Sequence, residues 1–188
     1  MKTRDLAYIA LFAAIMAVLG LLPPVPVPGI PVPITAQTLG VMLAGSVLGA
    51  RRGGLALLVF LAVVAVGLPV LSGGRGGLGV FVGPSAGYLY SWPIAAFVIG
   101  LLTQLFWRRF NLAWALVANL IGGLLVIYAI GIPFTSLYAD IPLWTSFTGS
   151  LAFIPGDVVK AVAASLVAVA VHKAYPVIDL PARRATAG

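Results

Sequence analysis

"MKTRDLAYIALFAAIMAVLGLLPP" (Met1–Pro24) decides the fold class. Two bases and an acid stand in its first five residues, and then no charge occurs from Leu6 to Leu22. A cleavable leader also opens on a basic segment, but its apolar core runs only about 7–15 residues and ends at a small-residue cleavage site. This run is longer and passes into prolines, so it reads as a retained first helix over about residues 5–22. The whole chain agrees: of 188 residues, 62% are hydrophobic and 8% charged, where a soluble domain carries about 25% charged residues. A mean hydropathy of +1.14 cannot be hidden in so small a core. Most of the surface must face lipid, which makes this a polytopic membrane protein.

After the first helix comes "LLPPVPVPGIPVPIT", with six prolines between Pro23 and Pro33. Each removes a backbone donor and clashes with the preceding helical turn, so about residues 23–36 should form an extended, polyproline-like connection. Further apolar runs predict helices at about 37–50, 54–69, 86–107 (kinked at Pro93), 112–130 and 153–172. The expectation is an all-α bundle of six transmembrane helices in a single domain, residues 1–188. Its longer outer loops would lie at about 70–85 and 131–152, and its tail at about 173–188.

The bases orient it. Lys2 and Arg4 precede the first helix, Arg51 and Arg52 follow the second, Arg108 and Arg109 follow the fourth, and Lys173, Arg183 and Arg184 follow the sixth. Six spans put all nine on one side, which the positive-inside rule assigns to the cytoplasm together with both termini. That explains the net charge of +7 without nucleic acid. Arg75, Asp140, Asp157 and Lys160 fall on the other side, a small polar set of even charge.

Most catalytic chemistries are excluded by composition. There is no cysteine or glutamate and only one histidine, His172, so a zinc or di-metal carboxylate site is not expected. Gly74, Gly76 and Gly79 match a dinucleotide fingerprint, but no strand precedes them and no acid follows at the required distance. They read as a flexible loop. "GPSAG" (Gly83–Gly87) matches a nucleophile elbow but has no histidine on its side of the membrane; it reads as a turn with Ser85 as helix cap. Asp140 lies in a loop, so it does not pair with Asp157 as an intramembrane protease would. No lysine follows a glycine, so the chain has no P-loop and any ATP must be hydrolysed elsewhere.

Two features remain. Ala7, Ala10, Ala14 and Ala17, with Ala13 beside them, place small residues at helical spacing on the first helix. Such a stripe permits close helix approach, whether for internal packing or for a partner. In "LAFIPGDVVKAVAASL" (Leu151–Leu166), Asp157 suits a helix N-terminus, whereas Lys160 opposes the dipole and costs at least about 2.5 kcal/mol inside a bilayer. Either Lys160 snorkels outward as half of a local ion pair, or the two charges face a small polar ligand. The aromatics Tyr88, Tyr90, Trp92, Trp144 and Phe153 would flank such a pocket.

"VPITAQTLGVMLAGSVLGARRG" (Val32–Gly53), "GLPVLSGGRGGLGVFVGPSAGYLYSWP" (Gly67–Pro93) and "FIPGDVVKA" (Phe153–Ala161) together resemble the BioY family, the biotin-binding substrate-specificity (S) components of energy-coupling factor (ECF) transporters. The resemblance runs over nearly the whole chain. It departs at Ala36, where a larger aliphatic residue is usual, and at Ser85-Ala86, which replace a Thr-Gly pair. It implies biotin capture from outside and no cofactor. It also implies partners: a transmembrane coupling (T) protein and two ABC-type ATPases. It implies that Ala10 and Ala14, with Ala13 and Ala17, dock the coupling protein. It makes Asp157 and Lys160 ligand contacts. Biotin's ureido group and carboxylate then suit Asp157 and Lys160, with Arg75 a second candidate for the carboxylate, and Tyr88 and Trp92 can cover its rings. A self-sufficient facilitator or channel for another small solute is the alternative, and it would not need the alanine stripe.

Overall fold

The first helix, α1, spans Thr3–Gly20 because the uncharged run that follows MKTRD offers nothing to stop it. Ile9, Phe12, Met16 and Gly20 bury one stripe of it, while Leu6, Leu11 and Val18 stay exposed on the other, as a helix between a bundle and lipid requires. The computed structural model describes residues 2–175, 177 and 178. Asp179, Arg183, Arg184 and the end of the tail lie outside the described residues.

The Pro-rich segment is not one extended run. Val25 and Ile34 exchange backbone hydrogen bonds at 2.9 and 2.8 Å, so it folds back on itself as a narrow hairpin. Prolines at the unpaired positions leave those two residues as the donors that pair. The chain then enters α2 (Gln37–Leu48), turns at Gly49 and leaves along α3 (Ala50–Ala65). Gly49 carries the whole connection at φ +82, a conformation an L side chain resists. At 12 residues, α2 is about 18 Å long, too short for a hydrocarbon core of about 30 Å. Nine of those residues are buried, so its neighbours rather than lipid surround it.

A loop with a short 3-10 turn leads to α4 (Ala86–Leu105), with Pro93 inside it. Then α5 (Leu112–Leu120) runs through a π turn, Ile121–Val126, into α6 (Ile127–Ala139). The reason for the π turn is legible in the core pattern. Asn119, Gly123, Ile127 and Gly131 are all buried at intervals of four, and in a regular α-helix such a row drifts about 40° per step. The wider turn takes up that drift and keeps the row facing inward.

Here the expected outer loop at 131–152 is corrected. Helix continues to Ala139, and α7 (Leu143–Ser150) leads through one 3-10 turn to α8 (Ile154–Ala174). The hydroxyls of this segment are satisfied on carbonyls, Ser150 on Ser146 at 2.7 Å and Thr148 on Trp144 at 2.9 Å, so they do not disrupt the helix.

Joining α5 to α6 and α7 to α8 gives six helical rods. Four are long and apolar enough to cross a membrane: Thr3–Gly20, Ala86–Leu105, Leu112–Ala139 and Leu143–Ala174. Central α4 packs on α2, α3 and α6, and α2 packs on α8. One end of the bundle gathers the start of α1, the α2–α3 turn and the end of α8: Arg4 Nη1 donates to the Tyr175 hydroxyl at 3.2 Å and Arg52 Nη1 to the Val177 carbonyl at 2.7 Å. The other end carries the Pro-rich hairpin, the loop before α4 and the start of α8.

Candidate ligand-binding site

At the end opposite the bases, a cavity opens where α2 and α8 begin side by side. The space between its walls, mouth included, is about 560 Å³, of which about 50 Å³ admits a water-sized sphere. Val32, Pro33, Ile34 and Leu71 cover it, and Tyr88, Trp92, Ile127, Tyr128 and Phe153 wall it. The aromatic walls hold one another: Tyr88 meets Phe153 edge-on at 6.0 Å, and Trp92 lies 6.2 Å from Phe60. Gly131 makes room for this arrangement, since a methyl there would stand 2.6 Å from the Tyr88 ring.

Asp157 and Lys160 sit in the floor. The ion pair exists, 2.9 Å between Nζ and Oδ1, with side-chain exposures of 16% for Lys160 and 4% for Asp157. Asp157 lies in the first turn of α8, where the dipole favours a carboxylate, but it makes no capping bond there. No side chain caps α8, so Asp157 is not the cap the sequence suggested. Lys160 does not snorkel outward; it reaches across to the Thr35 carbonyl at 2.6 Å and Thr38 Oγ1 at 2.9 Å. With the carboxylate, these use all three of its protons. Asp157 Oδ1 accepts a second bond from Thr38 at 3.0 Å, and Oδ2 accepts from the Tyr128 hydroxyl at 2.8 Å. A carboxylate has about four acceptor positions. Three are taken within the fold, so one on Oδ2 remains.

Arg75 stands at the mouth. Its Nε donates to the Ser72 carbonyl at 3.2 Å and its Nη1 to Ser85 Oγ at 3.4 Å. Ser85 opens α4 without a side-chain cap bond, so its hydroxyl serves Arg75 rather than the helix end. Tyr88 OH lies 3.0 Å from Ser150 Oγ. Ser150 already donates to Ser146, so the tyrosine is the donor. Trp92 is 4% exposed, and its indole Nε1 has no hydrogen-bond partner among the described residues, although buried polar groups are almost always paired.

All five candidates, Asp157, Lys160, Tyr88, Arg75 and Trp92, therefore line one cavity. Tyr90 and Trp144 do not. They are 43% and 71% exposed and face outward, Tyr90 donating to the Phe81 carbonyl. Three contributors escaped the sequence reading. Thr38 and Tyr128 bind Asp157 from 119 and 29 residues away. Gln37, 1% exposed, donates to the carbonyls of Met16 and Val70 and accepts from the Ser72 amide, each at 3.1 Å. It ties α1 and the Arg75 loop to the start of α2. A lone tyrosine within the apolar run 112–130 and a Gln-Thr pair opening an apolar helix were the available signals.

The alanine stripe divides. Ala10 and Ala14 are exposed, while Ala13 and Ala17 are half-buried against the core. Ala164 and Ala168, four residues apart on α8, are fully buried, so the same spacing there serves internal packing.

Fold and cavity define an all-α, multi-pass membrane protein with a polar-floored ligand pocket enclosed at one end of its helices. The chain belongs to the BioY family, which it matches over residues 1–177. It is 53% identical to the biotin transporter BioY of Rhizobium etli, across 97% of this chain and 100% of that one. It is 49% identical to the biotin transporter BioY of Rhodobacter capsulatus, across 88% and 91%. It also resembles a crystal structure of the S-component for biotin from an ECF-type ABC transporter, with a TM-score of 0.87 and 36% identity over 92% of this chain and 95% of that one.

Proposed function

We propose that the protein is the biotin-capturing S component of an energy-coupling factor importer, with its pocket open to the outside and its basic end, with both termini, in the cytoplasm. The single observation that carries the site is the Asp157 carboxylate. It is fixed by three donors, keeps one acceptor position on Oδ2, and lies under aromatic walls. A ureido N–H is a donor of the right kind for that position. The unpartnered Trp92 N–H suits the ureido carbonyl or ring sulfur, and Tyr88 and Phe153 suit the apolar ring faces. Arg75, with two of its five N–H donors engaged, suits the valerate carboxylate. The protons of Lys160 are occupied, so its part is to fix the position of the Asp157 carboxylate and to tie the hairpin exit at Thr35 to α8. An apolar pocket with few placed polar groups is the common form of a small-molecule site.

In this reading biotin is cargo, no cofactor is required, and ATP is hydrolysed by two ABC-type ATPases acting through a transmembrane coupling protein. Ala10 and Ala14, exposed on α1, form the docking face. Ala13 and Ala17 set the spacing of α1 from its own bundle, which alters their expected role. The positive-inside rule supports the orientation: all seven described bases outside the pocket end lie at the opposite end.

Calorimetry of the purified protein with biotin, thiamine and riboflavin, without ATP, tests the proposal. Biotin alone should saturate the protein. No saturation at micromolar biotin would end it.

A further inference from the structure

A second cavity, about 440 Å³, opens at the basic end between α1, α2, α3 and α4. It is larger than the water-accessible part of the biotin pocket, and its lining has a different chemistry. Lys2, Arg51 and Arg52 face it with one acid, Asp5. Asp5 Oδ1 pairs with Arg52 Nη2 at 2.8 Å, and Arg52 also donates to the Val177 carbonyl, so that pair is a fixed, neutral part of the wall. Lys2 and Arg51 make no ion pair with any described residue, and both are exposed. Two cations without an ion-pair partner among the described residues therefore look onto one concavity. Leu48 and Leu55 line its apolar side, and Gln104 adds an amide.

The placement of Arg51 has a further consequence. The first turn of α3 holds Arg51 and Arg52 and no acid. Cations at a helix N-terminus meet the positive end of that helix's dipole, so Arg51 has no favourable helix-end interaction of its own to satisfy it. An anion is the natural complement. The wall of α1 beside it exposes Leu6 and Leu11, so an anion with an attached acyl chain has apolar surface to follow.

We propose that this cavity binds a phosphate group, supplied by the headgroup of an anionic phospholipid lying against α1. Basic pockets between membrane helices at the cytoplasmic face select such headgroups. Bound there, the lipid would neutralise the Lys2–Arg51 concentration and link α1 to the α2–α3 turn. The site is independent of the biotin pocket.

Native mass spectrometry of the purified full chain in neutral detergent reads the site directly, after titration with phosphatidylglycerol or phosphatidylcholine. One phosphatidylglycerol should be retained in preference to phosphatidylcholine, and raised salt should weaken it. Arg51→Gln and Lys2→Gln should each reduce the preference about fivefold, and the double variant should abolish it. Melting temperature should stay unchanged in lipid-free detergent, which shows that the variants fold. A parallel arm measures melting in inorganic phosphate against chloride at equal ionic strength. Phosphatidylglycerol preference without a phosphate effect assigns the site to lipid. Stabilisation by phosphate, with no preference between the lipids, assigns it to a soluble phosphate. Equal retention of both lipids with no phosphate effect overturns the proposal, as does a preference that survives in the folded double variant.

Discussion

The pair at the pocket floor can be dissected by a double-mutant cycle. Lys160→Met removes the cation and leaves Asp157, 3% exposed, with only Thr38 and Tyr128 as donors. Breaking a buried ion pair from one side costs about 3–5 kcal/mol. The two remaining donors favour the low end, about 3 kcal/mol. In a protein of 150–250 residues each kcal/mol moves the melting temperature by about 2–4 °C, so Lys160→Met should melt about 6–12 °C lower. Asp157→Asn leaves an ammonium that still has Thr35 and Thr38. It is also more exposed, so about 2 kcal/mol is expected. The double variant Asp157→Asn/Lys160→Met contains no buried charge. Its loss should fall short of the summed single losses by about 1–3 kcal/mol, the range for groups in direct contact.

Biotin affinity should behave differently. Every variant lacking the carboxylate loses a hydrogen bond to a charged group, worth about 1.5–3 kcal/mol or about 10–150-fold in Kd. The double variant should therefore be more stable than the summed single losses predict, without regaining affinity. Melting curves in detergent and biotin calorimetry on four proteins measure both. Additive stability losses, or wild-type affinity in the double variant, would refute the view that one pair both holds the floor and faces the ligand.

Gln37→Leu strands the Val70 carbonyl and the Ser72 amide; at about 1–3 kcal/mol for each group left buried and unpaired, the melting temperature should fall clearly, and biotin binding should weaken as the Arg75 loop loosens. Gly131→Ala drives a methyl into the Tyr88 ring, and overpacking of this kind costs about 1–3 kcal/mol. Its signature is a weaker biotin Kd in a protein that still elutes as the wild type does, and an unchanged Kd would show that the ring position is immaterial. Ala10→Leu/Ala14→Leu alters only exposed positions, so biotin affinity should hold while ATP-driven uptake in cells carrying the partner subunits collapses. Unimpaired uptake would favour a self-sufficient facilitator.

What could be read before the structure, and what could not, follows from the range of the interactions. Helices that face lipid announce themselves locally: α1 and α4 began within about two residues of the expected positions because a long apolar run needs no distant partner. Residues 131–152 misled because Pro133, Thr135, Ser146 and Ser150 look like loop residues. In place, Thr135 donates to the Pro84 carbonyl and Ser146 to that of Ile132, bonds that no local window contains. The aromatics show the same division. Tyr88, Trp92 and Phe153 turn inward while Tyr90 and Trp144 turn outward, a choice set by helix phase and by neighbours such as Gly131. Lys160 was suspicious from the sequence because a cation there is expensive, but its use of the Thr35 carbonyl depends on where the Pro-rich hairpin ends.

The short helix α2 explains why a polar floor is stable at all. At 12 residues it cannot cross the hydrocarbon core by itself, so it must be wrapped by α3, α4 and α8, against which it packs. Wrapping leaves its first turn, Gln37 and Thr38, inside protein rather than against lipid. Polar side chains there find protein partners: Gln37 the ends of two other segments, Thr38 the carboxylate and ammonium of α8. Its last turns are wrapped in the same way, where the Ser46 carbonyl meets His172 Nε2 at 2.8 Å before Gly49 turns the chain into Arg51. A helix long enough to span would have placed Thr38 near the headgroups and opened Asp157 to water, where an ion pair is worth at most about 1 kcal/mol. Shortness of α2 thus sets the depth of the pocket, and under the proposed assignment that depth would let one carboxylate with one unfilled acceptor position discriminate a ligand.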